Sequence, residues 1–297
     1  MLGAMSSSTP RITVAHSPDA DDAFMFYGWT QKKIPVGTLE VEHLLLDIET
    51  LNQAAFEGRY EVTALSFHAY AFVQDRYLLM PAGASFGNGY GPVVVANSPL
   101  RRDALVGCKV AIPGKWTTAA LILELWQPEI VPMVVPFDEV LPTVLRGDCP
   151  AGVVIHEGQL TFEERGLHAV VDLGAWWQQE TGLPLPLGGN GVRRDLPQVL
   201  RLELCRLLHE SIDYGLAHRQ EALEYARRYA RELQGDFERS DRFVSMYVNE
   251  WTRGYGALAK RALAELFERG YRAGLLPQRV VPEFEEAPRA SRAAASS

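Results

Sequence analysis

Cysteine is scarce in this chain: three in 297 residues, at Cys108, Cys149 and Cys205, with no Cys-x-x-Cys pair. Such spacing excludes a disulfide framework and the paired-thiol redox and zinc motifs, and it fits a reducing compartment. Long apolar runs are missing too. Uninterrupted stretches such as VVVA at 93–96 fall far short of the roughly 18 residues a bilayer span needs. The opening MLGAMSSSTPR has no basic segment followed by an apolar one, so no secretion signal is read there. The expectation is a cytoplasmic chain that neither leaves the cell nor spans a membrane. Basic clusters are also lacking. Twenty-nine Lys and Arg against 37 Asp and Glu leave a net charge of -8, and no basic run is longer than Arg101-Arg102. A polyphosphate backbone would be repelled, so nucleic acid is not an expected partner. GxSxG, HExxH and kinase signatures do not occur, and Gly114-Lys115 is no P-loop, because Trp116 follows the lysine where Ser or Thr is required.

What is present is globular. Hydrophobic residues at 47% and charged residues at 22% rule out collagen, long coiled coil and wholesale disorder. The length is about twice a common ~150-residue domain, which predicts two lobes. From residue 11 to 182, short apolar runs alternate with amphipathic stretches, the pattern of βα units feeding a mostly parallel sheet. Strands are predicted at 12–16, 39–46, 62–66, 93–97, 109–112, 133–137, 152–156 and 169–173. Helices are predicted at 22–31, 49–56, 118–126 and 139–145. After Pro197 the leucines at 200, 204, 207 and 216 keep helical spacing, and helices are expected at 221–233, 241–253 and 257–273. The predicted fold class is α/β, two lobes with a ligand cleft between them and a helical C-terminal segment. Residues 10–98 and 195–285 are assigned to one lobe and 99–194 to the other, with 1–9 and 286–297 as disordered tails.

Several segments carry candidate chemistry. KVAIPGKWTTAAL reads as strand, Pro-Gly turn and helix, beginning at Thr117 or Thr118. A helix start presents unpaired amides and positive potential, and two adjacent hydroxyls extend that welcome to a carboxylate or phosphate. The plainer alternative is that Thr117 only caps its own helix. AGVVIHE reads as a strand buried on both faces that turns polar at His156, at the carboxyl end where α/β sheets border their ligand crevice. His156 is the candidate base. Ser66, ending VTALS, points to the same edge. Asp19, Asp21 and Asp22 precede a helix, where acidic residues cap and complement the dipole; that structural role is favoured over a metal site. The glycines at 83, 87, 89 and 91 mark either a ligand-approaching loop or a connector, and Trp176-Trp177 either a pocket wall or core.

Taken together, HSPDADDAFMFYG, LSFHAYA, GNGYGPVVVA, PGKWTTAAL, VVIHEGQLTF and DLGAWWQQETGLPLPLGGNGVRRD resemble the dihydroxynaphthoate synthase family of the futalosine route to menaquinone. The resemblance runs from about Ile12 into the C-terminal helices. It implies a type II periplasmic-binding-protein-like fold and a cytoplasmic lyase that converts cyclic dehypoxanthine futalosine to 1,4-dihydroxy-6-naphthoate without metal or organic cofactor. The family's proton acceptor falls on His156, and its substrate contacts fall on Ala64, Leu65, Ser66, Thr117 and Thr118. A small-molecule carboxylate is the implied partner, its carboxylate suited to the helix start at the threonines. Two departures stand out: Ala64 occupies a position where some relatives carry lysine, and SPDADD replaces their SPCPND around Asp21. Two other classes share the scaffold, a solute-binding protein of a transporter and a chorismate dehydratase. The first needs export or a lipid-anchoring cysteine, and the VIHE segment and double tryptophan weigh against the second.

Overall fold

In chain order the computed structural model, which describes residues 11–229 and 236–286, runs β1 (Arg11–His16), α1 (Ala20–Thr30), β2 (Glu40–Leu45), α2 (Ile48–Phe56), β3 (Val62–Ser66), α3 (Phe67–Val73), β4 (Tyr77–Leu79), β5 (Ser85–Gly87) and β6 (Val93–Ala96). It continues with β7 (Lys109–Ile112), α4 (Thr118–Trp126), β8 (Val131–Val134), α5 (Val140–Leu145), β9 (Ala151–Val154), β10 (His168–Asp172), α6 (Leu173–Thr181) and β11 (Leu185–Arg193). Five helices finish the described chain: α7 (Gln198–Ala217), α8 (Arg219–Ala226), α9 (Phe237–Tyr247), α10 (Glu250–Arg253) and α11 (Gly256–Arg272). Apart from Glu286, the expected tails lie outside the described residues.

The strands form two sheets, ordered β2-β1-β3-β11-β4 with β5 on β11, and β10-β6-β9-β7-β8. In the first, β1 pairs in parallel with β2 and β3 while β11 runs antiparallel to β3, β4 and β5. In the second, β7 is parallel to β8 and β9, and β6 is antiparallel to β9 and β10. The two-lobed α/β reading holds, but strand membership corrects the expected boundaries. β6 belongs to the second sheet and β11 to the first, so the chain crosses between sheets at 88–92 and 182–184 rather than at 98/99 and 194/195. LPLGGNGVR, with three glycines and a proline, carries no alternating pattern that would mark it as a strand.

Local chemistry explains the element ends. Asp47 caps α2 through Thr50 N at 3.0 Å, and Asp172 caps α6 through Gly174 N and Ala175 N. Gly182, at φ 67°, closes α6. All five residues of β3, Thr63 and Ser66 included, are buried, as befits a strand in the middle of a covered sheet. Of the C-terminal helices, α7 and α8 pack on α1, where Ser211 ties α7 to α1 by donating to Met25 O at 2.7 Å and accepting from Trp29 N at 3.0 Å. One apolar core nevertheless runs through both lobes: Leu65 and Phe67 from the first join Val110, Ile112 and Leu121 from the second and Leu263 and Leu266 of α11. Trp177 is fully buried in it and donates Nε1–H to Pro184 O, so it is core rather than pocket wall.

The crossing at 88–92 depends on two bare Cα atoms. A Cβ on Gly87 would lie 1.9 Å from Tyr90 O, and one on Gly174 2.0 Å from the same carbonyl, so the loop and the start of α6 meet backbone to backbone. Because the obstacle is main chain and not a side-chain tip, Gly174→Ala is expected to cost about 2 kcal/mol and lower the melting temperature by roughly 5 °C, measured by thermal unfolding. An unchanged melting temperature would show that the contact is not constraining.

Candidate active site

A cavity opens between the sheets at the carboxyl ends of β1, β3 and β9 and the start of α4, the place where α/β folds of this kind bind small ligands. Its wall includes Ser17, Asp19, Asp21 and Asp22 around the start of α1, and Ala64, Leu65 and Ser66 at the end of β3. It also takes in Thr117, Thr118 and Ala119 at α4, Gln159, the backbone at Gly188–Gly189, Asn190 and Tyr247. The five residues expected to contact substrate are therefore brought together. His156 is not among the lining residues, although its neighbours Ile155 and Gln159 are.

The threonine hydroxyls are not free to grip an anion. Thr117 Oγ1 accepts from Ala120 N at 3.1 Å and donates to Gly114 O at 2.9 Å; Thr118 Oγ1 donates to Leu187 O at 2.6 Å and accepts from His68 N at 3.2 Å. Thr117 does cap its helix, and the two sequence alternatives merge: capping leaves the first amides of α4, at Thr118 and Ala119, and the dipole as the anion-facing groups. Glu49, buried behind this turn, accepts from Trp116 N at 3.0 Å, and burial raises its carboxyl. Ser66 is clamped by Asn52, which accepts from Ser66 N at 2.9 Å and donates to Ser66 Oγ at 3.0 Å, leaving the hydroxyl proton to give. His68 is held neutral, its pKa lowered to about 4 by burial, with its Nδ1 3.2 Å from Thr117 O.

His156 sits past the end of β9, capping a short turn at Glu157–Leu160, and is 4% exposed. Its Nδ1 accepts from Gly158 N at 3.2 Å; the ring proton then belongs on Nε2, which faces Phe137 O at 3.3 Å. Phe137 packs edge-on against the ring at 5.1 Å. In this arrangement no nitrogen lone pair is open to the cavity. The sequence carries no signal for this rotamer.

The acidic group corrects the capping expectation. Asp19 is the N-cap of α1 yet makes no side-chain cap bond; it accepts from Ser17 Oγ at 2.6 Å, while Asp22 accepts from Ser17 N at 2.9 Å. Both line the cavity with Asp21. Burial, then the neighbouring charge of Asp19, pushes Asp21 up to about 7, and burial followed by Asp21 and Asp19 raises Asp22 well above its ordinary value. Sequence reasoning also missed Gln159, Asn190 and Tyr247; the first two stood in the EGQL and GGNG segments with nothing in their spacing to mark them. Since the folded form keeps the proton of Asp21 up to about pH 7 and the unfolded form releases it near 3.8, the raised value costs stability as pH climbs between the two. Asp21→Asn should therefore melt above the parent protein, with a gap that widens from pH 4 to pH 8 in thermal scans; a constant or narrowing gap would contradict the assignment.

Comparison with known proteins follows the same outline. A family model described as menaquinone biosynthesis matches residues 12–272. The chain is 42% identical over 273 residues to a 1,4-dihydroxy-6-naphthoate synthase of Thermus thermophilus, covering 92% of this chain and 98% of that one. To the synthase of the same name from Streptomyces coelicolor it is 32% identical, covering 92% and 96%. A crystal structure of an Archaeoglobus fulgidus protein superposes with a TM-score of 0.85 at 47% identity, covering 91% of this chain and 99% of that one. The alkanesulfonate-binding protein of Xanthomonas axonopodis, at a TM-score of 0.69 and 12% identity over 93% and 98%, shares the fold alone, that of the periplasmic binding proteins. With its described sheets, its cavity and relatives spanning nearly its full length, the chain belongs to the menaquinone-biosynthesis family.

Proposed function

We propose that this protein converts cyclic dehypoxanthine futalosine to 1,4-dihydroxy-6-naphthoate, as a cofactor-free carbon–carbon lyase of the cytoplasm. The observation that carries the reading is the 42% identity to the Thermus synthase over 98% of that enzyme, joined to a cavity between the two sheets that gathers Ala64, Leu65, Ser66, Thr117 and Thr118. The transporter-associated alternative rests on fold likeness at 12% identity, which speaks only to architecture. The cytoplasmic placement is supported by three free cysteines, with Cys149 and Cys205 buried and both thiols pushed up by burial, Cys205 to about 12.

In this reading the substrate's aryl carboxylate sits on the amides of Thr118 and Ala119, with the Ser66 hydroxyl as a donor beside it and Ala64 and Leu65 as wall. His156 takes the proton that starts cleavage of the sugar-derived portion, and aromatisation of the product draws the reaction forward. For that step Gly158 N–H has to part from Nδ1, so the Glu157–Leu160 turn shifts when substrate enters. The two lobes then keep bulk water from the reacting carbon.

Purified protein given the cyclic substrate is expected to release the naphthoate, followed by its aromatic absorbance. His156→Ala should lose nearly all turnover, at least about a thousandfold, while calorimetry still detects substrate binding. Normal turnover by that variant would remove His156 from the mechanism, and no turnover by the parent protein would remove the substrate assignment.

A further inference from the structure

The amide end of α4 accounts for one charged group of a ligand and leaves other polar groups of the cavity wall unexplained. There, Gln159 is 8% exposed and accepts at Oε1 from Tyr247 Oη at 2.7 Å, which fixes the amide and leaves Nε2 without a protein partner. Asn190, 1% exposed, donates from Nδ2 to Gly83 O at 2.9 Å and leaves Oδ1 unpartnered. Asp21 lies close enough to Tyr247 for its charge to act on the phenol, and unlike Asp19 and Asp22 it is not engaged by Ser17. Buried amide halves without partners are costly, and folds retain them where a ligand supplies what is missing.

A lone donor, a lone acceptor and a carboxyl lining one cavity match a ligand whose groups each donate and accept, which describes vicinal hydroxyls. A flat aromatic face or a second carboxylate would satisfy only part of the set. We propose that Asp21, Gln159 and Asn190 form a polyol-reading end of the site, holding the hydroxyls of the sugar-derived part of the substrate, with Tyr247 as the residue that positions Gln159. This rests on the function proposed above and names which half of the substrate binds where. Gln159 comes from the second lobe and Asp21, Asn190 and Tyr247 from the first, so the hydroxyls are read only with the lobes together.

The test compares two ligands on the parent protein, Gln159→Leu and Tyr247→Phe: the cyclic substrate, and the naphthoate product, which lacks the sugar-derived part. Gln159→Leu is expected to raise KM for substrate at least tenfold and Tyr247→Phe about threefold or more. The constant for inhibition by product should change less than twofold in each, and kcat less than KM. Equal weakening of substrate and product, or an unchanged KM, would overturn the proposal. Should Gln159→Leu fail to fold, Tyr247→Phe, which removes one oxygen, carries the same comparison. If the parent protein does not turn the substrate over, the functional assignment falls, and the wall is judged by calorimetry with a ribosyl-substituted benzoate against plain benzoate. At least fivefold tighter binding of the former, lost in Tyr247→Phe, supports it; equal affinities sink it.

Discussion

The first turn of α4 is fastened by the lobe to which it does not belong. Thr118 gives its hydroxyl proton to Leu187 O of β11, in the first sheet, and receives the amide of His68 from α3; Glu49 of α2 holds the amide of Trp116 just before it. Around Trp116 pack Phe56 at 4.8 Å, Phe72 at 5.0 Å and His68 at 5.9 Å. The positive end of a helix from one half of the molecule is thereby fixed against the sheet of the other before any ligand arrives. Electrostatic preorganisation of this sort requires no rearrangement when charge docks. Every other feature of the cavity is set by where that turn sits.

The cavity carries its polar groups on a largely apolar lining, and two helix starts set their polarity. Both α1 and α4 begin at it, but α1 meets it with Asp19, Asp21 and Asp22, whose carboxyls spend the local positive potential, whereas α4 meets it with threonines. Two helix starts that are alike as backbone are thus opposite as ligand sites. A ligand with one carboxylate has a single favourable orientation, because burial and neighbouring carboxylate charge already raise Asp21 and Asp22 and a further anion beside them is disfavoured.

Much of this was legible in the residues. Runs such as VTALS and KVAI gave their strands to the residue, and TTAALILELW gave α4, because buried parallel strands and capped helices leave strong local signatures. The cavity position of Ala64, Leu65, Ser66, Thr117 and Thr118 was foreseen as well. What escaped is what local sequence does not encode. Whether VVVA joins one sheet or the other depends on partners far away in the chain, and LPLGGNGVR is a strand only because neighbours on both sides supply its hydrogen bonds. The acidic trio looked like a capping set, since the cue for a cap is position relative to a helix, and the burial that raises Asp21 and Asp22 is a property of the folded cavity rather than of that position. His156 was located by its place at a strand end, yet the direction of its ring is decided by Gly158 N and Phe137 O, contacts no spacing rule contains.

β11 lies between β3 and β4, near the middle of the first sheet, although it is made about 120 residues after β3. During synthesis the N-terminal βα units emerge with that gap unfilled, and an unpaired edge of β3 waits while the whole second lobe is translated. The first lobe is consequently not a separable folding unit: its sheet closes only when the chain returns at residue 185, which couples the maturation of both halves to one late, long-range pairing and makes the ordering of assembly a property of topology.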